Sequence, residues 1–199
     1  MKIKSHQLLN ELIEEIKKGN QKAKHFYEQG KNVCNHVPKG EKWSISDCLE
    51  HLNLYGDFYI PEIQNAIINS TPDSGNNEFK SGWFGNYSAN SMLPKNGKIR
   101  KMKTFKDKDP ELLQLDFETV FARFFKQQES WIDLLEKAKS VNLNKTRSKT
   151  TLKFISFKLG DTFRFVINHS SRHFDQAERI FKASLIETKE KEKAIETLQ

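Results

Sequence analysis

HSSRHFDQ, residues His169 to Gln176, carries the clearest chemical signal in this sequence. Its two histidines are four residues apart, so on a helix they lie one turn apart on the same face. Two neutral imidazoles in that arrangement can bind one transition-metal ion. The pair alone is a weak signal, because a histidine is tolerated on any half-buried helix face. A third ligand must therefore come from elsewhere in the chain.

The residues before the histidine pair predict the helix that carries it. In LGDTFRFVIN, residues 159–168, apolar side chains recur at helical spacing. Asp161 stands near the start of this helix, where a carboxylate suits the positive end of the helix dipole. We expect the helix to continue to about Leu185. A charged tail from about residue 186 to 199 follows, either as a solvated helical extension or as a frayed end.

Three more long helices are predicted from the same spacing of apolar residues. The first covers about residues 5–29, with Ser5 as its N-cap and Gly30 as its stop. The second covers residues 43–67, is capped by Ser44 or Ser46, and has a kink at Pro61. The third starts at Pro110 or Glu111 and ends near residue 139; its phenylalanines, Phe121, Phe124 and Phe125, are predicted to lie in the core.

The long segment between the second and third helices is the least regular part of the chain. Residues 69–109 are rich in turn-forming residues, with one or two helical turns predicted within 83–93. A loop of this length in a small domain is often functional or a lid. Strand signals are sparse, and only LKFISFK, residues 152–158, alternates enough to predict a short extended segment.

The net charge of +7 comes mainly from two lysine-rich stretches, residues 17–24 and 95–108. A basic surface attracts nucleic acid, acidic membranes and anionic metabolites without choosing among them. No nucleic-acid-reading motif accompanies the charge, so nucleic acid is not an expected partner. A solvated lysine-rich face is the simplest interpretation, and the sequence leaves open whether the basic loop 95–108 binds an anionic ligand.

The remaining composition indicates a cytoplasmic protein. Its two cysteines, Cys34 and Cys48, are too few and too unpatterned for a disulfide framework. The first residues contain no apolar leader, and no run approaches the length of a membrane span. We therefore expect no membrane partner.

His51 lies two turns into the second helix. Asp47 is one turn earlier on the same face and could hold the far ring nitrogen of His51. The alternative for Asp47 is an acid of the first turn that serves the helix dipole. Cys48 could reach the same place and would then close a four-ligand structural zinc site.

The chain resembles the DinB/YfiT-like superfamily, a group of metal-dependent proteins. The matching stretches are WSISDCLEHL (43–52), SGWFGNYSANSMLP (81–94) followed by KIRKMKTFKDKDP, and LGDTFRFVINHSSRHFDQAERI (159–180). The resemblance implies an all-α fold, an antiparallel four-helix bundle with a long crossover loop. It implies a single domain over residues 1–199, often as a homodimer.

The same resemblance implies one divalent metal ion held by His51, His169 and His173. Bundles place such sites between facing helices, where inward side chains converge. Gln176 matches a residue common after the second histidine of the pair, and either makes a helix–helix hydrogen bond or takes part in catalysis. Imidazoles suit zinc, nickel, iron and copper, and zinc or nickel is the expected ion.

The function implied by the resemblance is that of a metal-dependent hydrolase or thiol-dependent transferase. Three neutral imidazoles leave the ion its two positive charges and open positions for water or a thiol. The expected partners are a small-molecule substrate and a low-molecular-weight thiol. No general base is evident, and the only candidate catalytic residues are Asp47 and Gln176.

Two other hypotheses compete with an enzyme. One is a non-catalytic, stress-related binding module with a structural or regulatory metal and a basic surface. The other is a helical bundle whose histidines only satisfy hydrogen bonds of the core.

Overall fold

A computed structural model describes residues 1–70, 72, 78–94, 103–113 and 116–196, and these residues are predominantly helical. In chain order the helices are α1 (Ser5–Glu28), α2 (Lys31–Cys34), α3 (Ile45–Ile68), α4 (Trp83–Ser91), α5 (Phe117–Lys137) and α6 (Leu159–Glu196). Short 3-10 turns cover Lys106–Lys108, Pro110–Leu112 and Ala138–Ser140. The all-α prediction is confirmed for the core of the protein.

Two small antiparallel sheets accompany the helices. β1 (Lys2–Lys4) pairs with β2 (Glu78–Lys80), and β3 (Arg147–Lys149) pairs with β4 (Ser156–Lys158). The extended segment predicted at 152–158 is confirmed for its last three residues. The other three strands were not predicted, because three-residue strands are too short for alternation to show.

Local capping sets where the long helices begin. Asp47 and Ser44 form a reciprocal capping box: the backbone N–H of Asp47 donates to Ser44 Oγ at 3.1 Å, and that of Ser44 donates to Asp47 Oδ2 at 2.7 Å. Asp116 caps α5 by accepting from the backbone N–H of Thr119 at 3.0 Å. The prediction that this helix starts at 110 or 111 is therefore wrong, since those residues form a separate 3-10 turn.

The structure agrees with some of the other predicted helix boundaries and differs from others. Ser5 is the first residue of α1 and not its cap, because β1 leads directly into the helix and Lys4 takes the cap position without a side-chain bond. Gly30 lies just beyond α1 with a φ of +82°, a conformation that suits glycine. Pro61 lies inside α3, which continues to Ile68. The backbone of the charged tail is helical as far as Glu196.

The four long helices pack so that α1 and α3 each contact both α5 and α6. Their buried side chains form two apolar clusters. Along α6, Ile167 ends the first cluster and Phe174 begins the second. Phe121 and Phe124 are buried as predicted, and Phe125 is partly buried against the second cluster. The interval between the two clusters on α6 holds the histidine pair.

A buried ion pair attaches α4 to the start of α6. Arg164 Nη1 donates to Asp161 Oδ1 at 3.3 Å and to Asn86 Oδ1 at 3.0 Å, and its Nη2 donates to Asn90 Oδ1 at 2.8 Å. Asp161 Oδ2 accepts from the backbone N–H of Gly82 at 2.7 Å. Both charged residues are buried. Asp161 therefore anchors the start of α4 to the helix that carries the histidines, besides lying in the first turn of that helix.

Among the described residues, no helix combines the length and the apolar character that crossing a bilayer requires.

Replacing Arg164 with methionine should lower the free energy of unfolding by about 3–5 kcal/mol, because Asp161 would remain as an uncompensated buried charge. Urea denaturation followed by circular dichroism measures the change. The matched control is Arg179→Met, since Arg179 makes an exposed pair with Glu41 and its loss should cost less than about 1 kcal/mol. Equal effects of the two substitutions would contradict a special role for the buried pair.

Candidate metal centre

Three histidines from two helices meet in the core. His51 comes from α3, and His169 and His173 come from successive turns of α6. Their side chains are almost inaccessible, at 3%, 7% and 7% exposure. The Nε2 atom of His169 lies 3.3 Å from Nε2 of His51 and 3.1 Å from Nε2 of His173. Among the described residues they form a group whose ligand atoms lie close enough together to hold one metal ion.

The spacing of the ring nitrogens suits a tetrahedral ion. Two imidazole nitrogens that bind zinc at about 2.0 Å lie about 3.3 Å apart when the geometry is tetrahedral. The observed separations of 3.3 and 3.1 Å are close to that value.

The tautomer of His51 is set by the segment between α4 and α5. Its Nδ1 lies 2.6 Å from the backbone carbonyl of Lys108 in the 3-10 turn. A carbonyl can only accept, so Nδ1 carries the hydrogen and Nε2 presents a lone pair to the other histidines. Partners of this kind on the far ring nitrogen are typical of metal-binding histidines.

Gln176 sets the tautomer of His173. The Nδ1 of His173 donates to Oε1 of Gln176 at 3.1 Å, one turn further along α6. The Nε2 of His173 therefore also presents a lone pair. Gln176 makes its bond within one helix, in place of the helix–helix hydrogen bond that was one of its two predicted roles. With two lone pairs directed at the Nε2 of His169, the donor set suits a cation.

Burial keeps the three imidazoles neutral. It lowers the pKa of His51 to about 4, only partly opposed by the bond to Lys108. Burial also lowers the pKa values of His169 and His173 well below the ordinary range, and the neighbouring imidazoles lower them further. Metal binding requires the neutral form, so the site is ready to bind at neutral pH without releasing protons.

Aromatic rings surround the histidines. The ring centroid of Trp43 lies 4.8 Å from that of His51, and Tyr55 lies 4.5 Å from His169. Phe165 stacks on His169 with an interplanar angle of 3°. These rings exclude water and strengthen electrostatic interactions among the imidazoles. Nothing in the sequence distinguishes Tyr55 from the other apolar positions of this helix, and no sequence signal points to the Lys108 carbonyl.

Asp47 does not hold the ring of His51. Both the backbone N–H and the hydroxyl of Ser44 donate to Asp47 Oδ2 at 2.7 Å, whereas the far nitrogen of His51 is bonded to Lys108. The predicted support of His51 by Asp47 is therefore wrong, and its alternative as a first-turn acid is the one observed.

Cys48 does not join the ligand group. It is buried in the second apolar cluster, and burial raises the pKa of its thiol well above the ordinary range. A thiol held protonated in this way is a poor metal ligand. The group of candidate ligands found among the described residues contains the three histidines and not Cys48, so a four-ligand structural site closed by this cysteine is not supported.

The basic loop predicted at 95–108 is seen only in part. Residues 95–102 lie outside the described residues. Lys108 meets the site through its carbonyl, while its ammonium group lies 6.0 Å from the centre of the Phe58 ring.

Together, the helical core and the buried histidine group define a helical protein with a three-histidine site suited to one transition-metal ion. The model of the DinB superfamily matches residues 7–177, and the chain belongs to this superfamily. The matched range contains all three histidines and Gln176. Comparisons with curated proteins and with solved structures gave no significant match.

Substituting Gln176 should weaken zinc binding, whereas substituting Asp47 should lower only the stability of the fold. Gln176→Leu removes the acceptor that orients His173, so zinc affinity should fall about 10- to 100-fold. Asp47→Ala removes the capping box, so the free energy of unfolding should fall by about 1 kcal/mol while zinc affinity is unchanged. Competitive zinc titration and urea denaturation measure the two effects. A loss of zinc affinity in the Asp47 variant but not in the Gln176 variant would reverse the assignment.

Zinc affinity should be nearly constant between about pH 7.5 and about pH 6. Three imidazoles with ordinary pKa values near 6.5 would lose roughly 50-fold over this interval through competition with protons. The lowered pKa values postpone that competition until the pH approaches about 4, the value for His51. Titration against a chelator of known pH dependence tests this. A loss of tenfold or more by about pH 6 would show that the imidazoles are not held neutral.

Proposed function

We propose that this protein is a metal-dependent enzyme, a hydrolase or a thiol-dependent transferase. His51, His169 and His173 would hold one divalent ion, zinc or nickel. The observation that carries the proposal is the convergence of their Nε2 atoms, with lone pairs directed inward from His51 and His173. An ion bound there would supply Lewis acidity, which lowers the pKa of water or of a thiol and polarises a substrate oxygen.

The surrounding residues prepare the site for this chemistry. The carbonyl of Lys108 and the amide of Gln176 fix the orientation of two imidazoles before a ligand arrives. Trp43 and Tyr55 keep water from the imidazoles, which strengthens charge interactions in the pocket. Preorganised groups of this kind do not have to rearrange during the reaction.

We also propose the bundle architecture, the homodimer, the kind of substrate and the cellular location that the family resemblance implies. The four long helices would form an antiparallel bundle, with the segment between α3 and α5 as its crossover, in a single domain that assembles as a homodimer. A small molecule would be the substrate, with a low-molecular-weight thiol as co-substrate in the transferase case. Cys34 and Cys48 are buried free thiols, which supports a cytoplasmic location.

One observation favours a second candidate, a binding module with a structural or regulatory metal. The histidines are at most 7% exposed, so a substrate must displace part of the cover to reach them. A structural ion in such a site would exchange slowly, and the protein that holds it would show no turnover. Turnover that stops on chelation and returns with added metal separates the enzyme from the binding module.

Elemental analysis of protein purified without a histidine tag should find about one transition-metal ion per chain. His173→Ala should lose it, because two imidazoles bind far more weakly than three. The control is His36→Ala, since His36 lies outside the cluster and bonds to Glu187. Metal-loaded protein is then screened against ester, phosphoester and amide substrates, and against electrophiles with a thiol.

Three results would count against the proposal. The metal site would be rejected if wild-type protein contained no metal and took up neither zinc nor nickel. The enzyme would be rejected in favour of the binding module if the metal-loaded protein turned over none of the screened substrates, and metal dependence would be rejected if turnover survived complete removal of the metal.

A further inference from the structure

The two small sheets and the start of α4 form one continuous surface. The backbone N–H of Lys80 donates to Oδ1 of Asn144 at 2.9 Å, and the ammonium of Lys158 donates to the carbonyl of Lys80 at 2.7 Å. The ring of Phe84 meets that of Phe157 edge-on, with centroids 5.7 Å apart. We call this surface the hairpin end; it comprises β1, β2, residues 142–158 and the first turn of α4.

The hairpin end is strongly basic. Residues 142–158 contain five lysines and arginines and no acidic residue. Alternation along β3 exposes Lys145, Arg147 and Lys149, while Thr146, Ser148 and Thr150 between them are buried. β1 and β2 add Lys2, Lys4 and Lys80. Two acids offset this charge: Glu78, 2.8 Å from Lys2, and Glu62, 3.7 Å from Lys149.

Apolar side chains project from the same surface. Phe154, in the turn between β3 and β4, is fully exposed at 105% and has a φ of +63°. Leu152 is exposed in the same turn, and Trp83 at the start of α4 is 85% exposed. A left-handed conformation is unfavourable for a phenylalanine, and this fully exposed ring gains no packing against the described residues in return. An apolar contact with an external partner would offset the cost of this exposed and strained phenylalanine.

We propose that the hairpin end binds the surface of an anionic lipid bilayer. Phe154, Leu152 and Trp83 would enter the boundary between headgroups and acyl chains, where aromatic and aliphatic side chains are favoured. The cations around them would meet anionic headgroups. This activity goes beyond the proposed metal-dependent function and does not depend on the metal site.

Other occupants fit the surface less well. A symmetric contact between two copies would place the same cations of each chain against one another. Single-stranded nucleic acid stacks its bases on aromatic faces, but Leu152 offers no such face, and Phe154 projects from a turn instead of lining a groove. The expectation of no membrane partner rested on the lack of a membrane-spanning run, and a surface association needs no such run.

Vesicle binding by the full-length protein tests the proposal. The protein should sediment with vesicles of phosphatidylcholine and phosphatidylserine, and not with vesicles of phosphatidylcholine alone. Binding should weaken as salt is added. Trp43 and Trp131 are buried, so a shift of tryptophan emission to shorter wavelength on binding reports on Trp83 and should vanish in Trp83→Phe.

Two variants separate the apolar and the electrostatic parts. The double variant Leu152→Ser with Phe154→Gly should weaken vesicle binding about tenfold or more. Glycine adopts the positive φ at position 154 without strain, so the fold should be preserved. Lys145→Gln with Lys149→Gln and Lys153→Gln should weaken binding roughly 100-fold. Zinc uptake and circular dichroism should match wild type in both.

Matched controls lie elsewhere on the protein. The apolar control, Ile186→Ser, changes an exposed residue far along α6. The charge control, Lys17→Gln with Lys18→Gln and Lys22→Gln, removes three cations from α1. Neither should alter vesicle binding. The proposal would be overturned by equal affinity for both kinds of vesicle, by no binding to either, or by hairpin variants that bind like wild type. It would also be overturned if the triple variant lost binding to single-stranded DNA, or the apolar variant lost dimerisation, without a change in vesicle affinity.

Discussion

The interaction on which this structure depends is the approach of three imidazoles, two of which direct their hydrogens outward. His51 and His173 each donate from Nδ1, to a backbone carbonyl and to an amide oxygen, so their Nε2 lone pairs point inward at His169. Lone pairs that face one another in a water-poor core are unfavourable unless a cation lies among them. On α6 the histidine pair occupies the interval between the two apolar clusters, while on α3 His51 lies beside residues of the second cluster.

Much of the fold could be predicted from sequence because it rests on periodic apolar residues and local caps. All four long helices were located, as were the end of α1 near Gly30 and the passage of α3 through Pro61. The errors fell where a non-local contact decides a boundary. Ser5 lost its predicted role as a cap because β1 pairs with a strand more than 70 residues away. The start of α5 depends on Asp116, after a separate turn.

In the candidate site, too, the features set by local sequence were predicted and those set by non-local contacts were missed. The pair on α6 follows from a spacing of four residues, and His51 was added through a resemblance that the family match confirms. What sequence reasoning missed was the support around the ligands. Asp47 looked well placed to hold His51, but it is used by the cap of its own helix. Tyr55 counted only as an apolar position of the second helix and Trp43 only as its first residue, since periodicity reports burial and not what a buried ring touches.

The bond between His51 and Lys108 has a consequence for how such proteins change over evolutionary time. The contact uses the backbone carbonyl, so it places no requirement on the side chain at this position. The hydrogen bond to His51 would therefore survive a change of side chain at 108, although the ammonium group of Lys108 has its own contact with the ring of Phe58. Insertions and deletions near the turn are what the site would not tolerate, because they move the carbonyl. For this contact, the length and shape of the segment matter more than the amino acid at position 108.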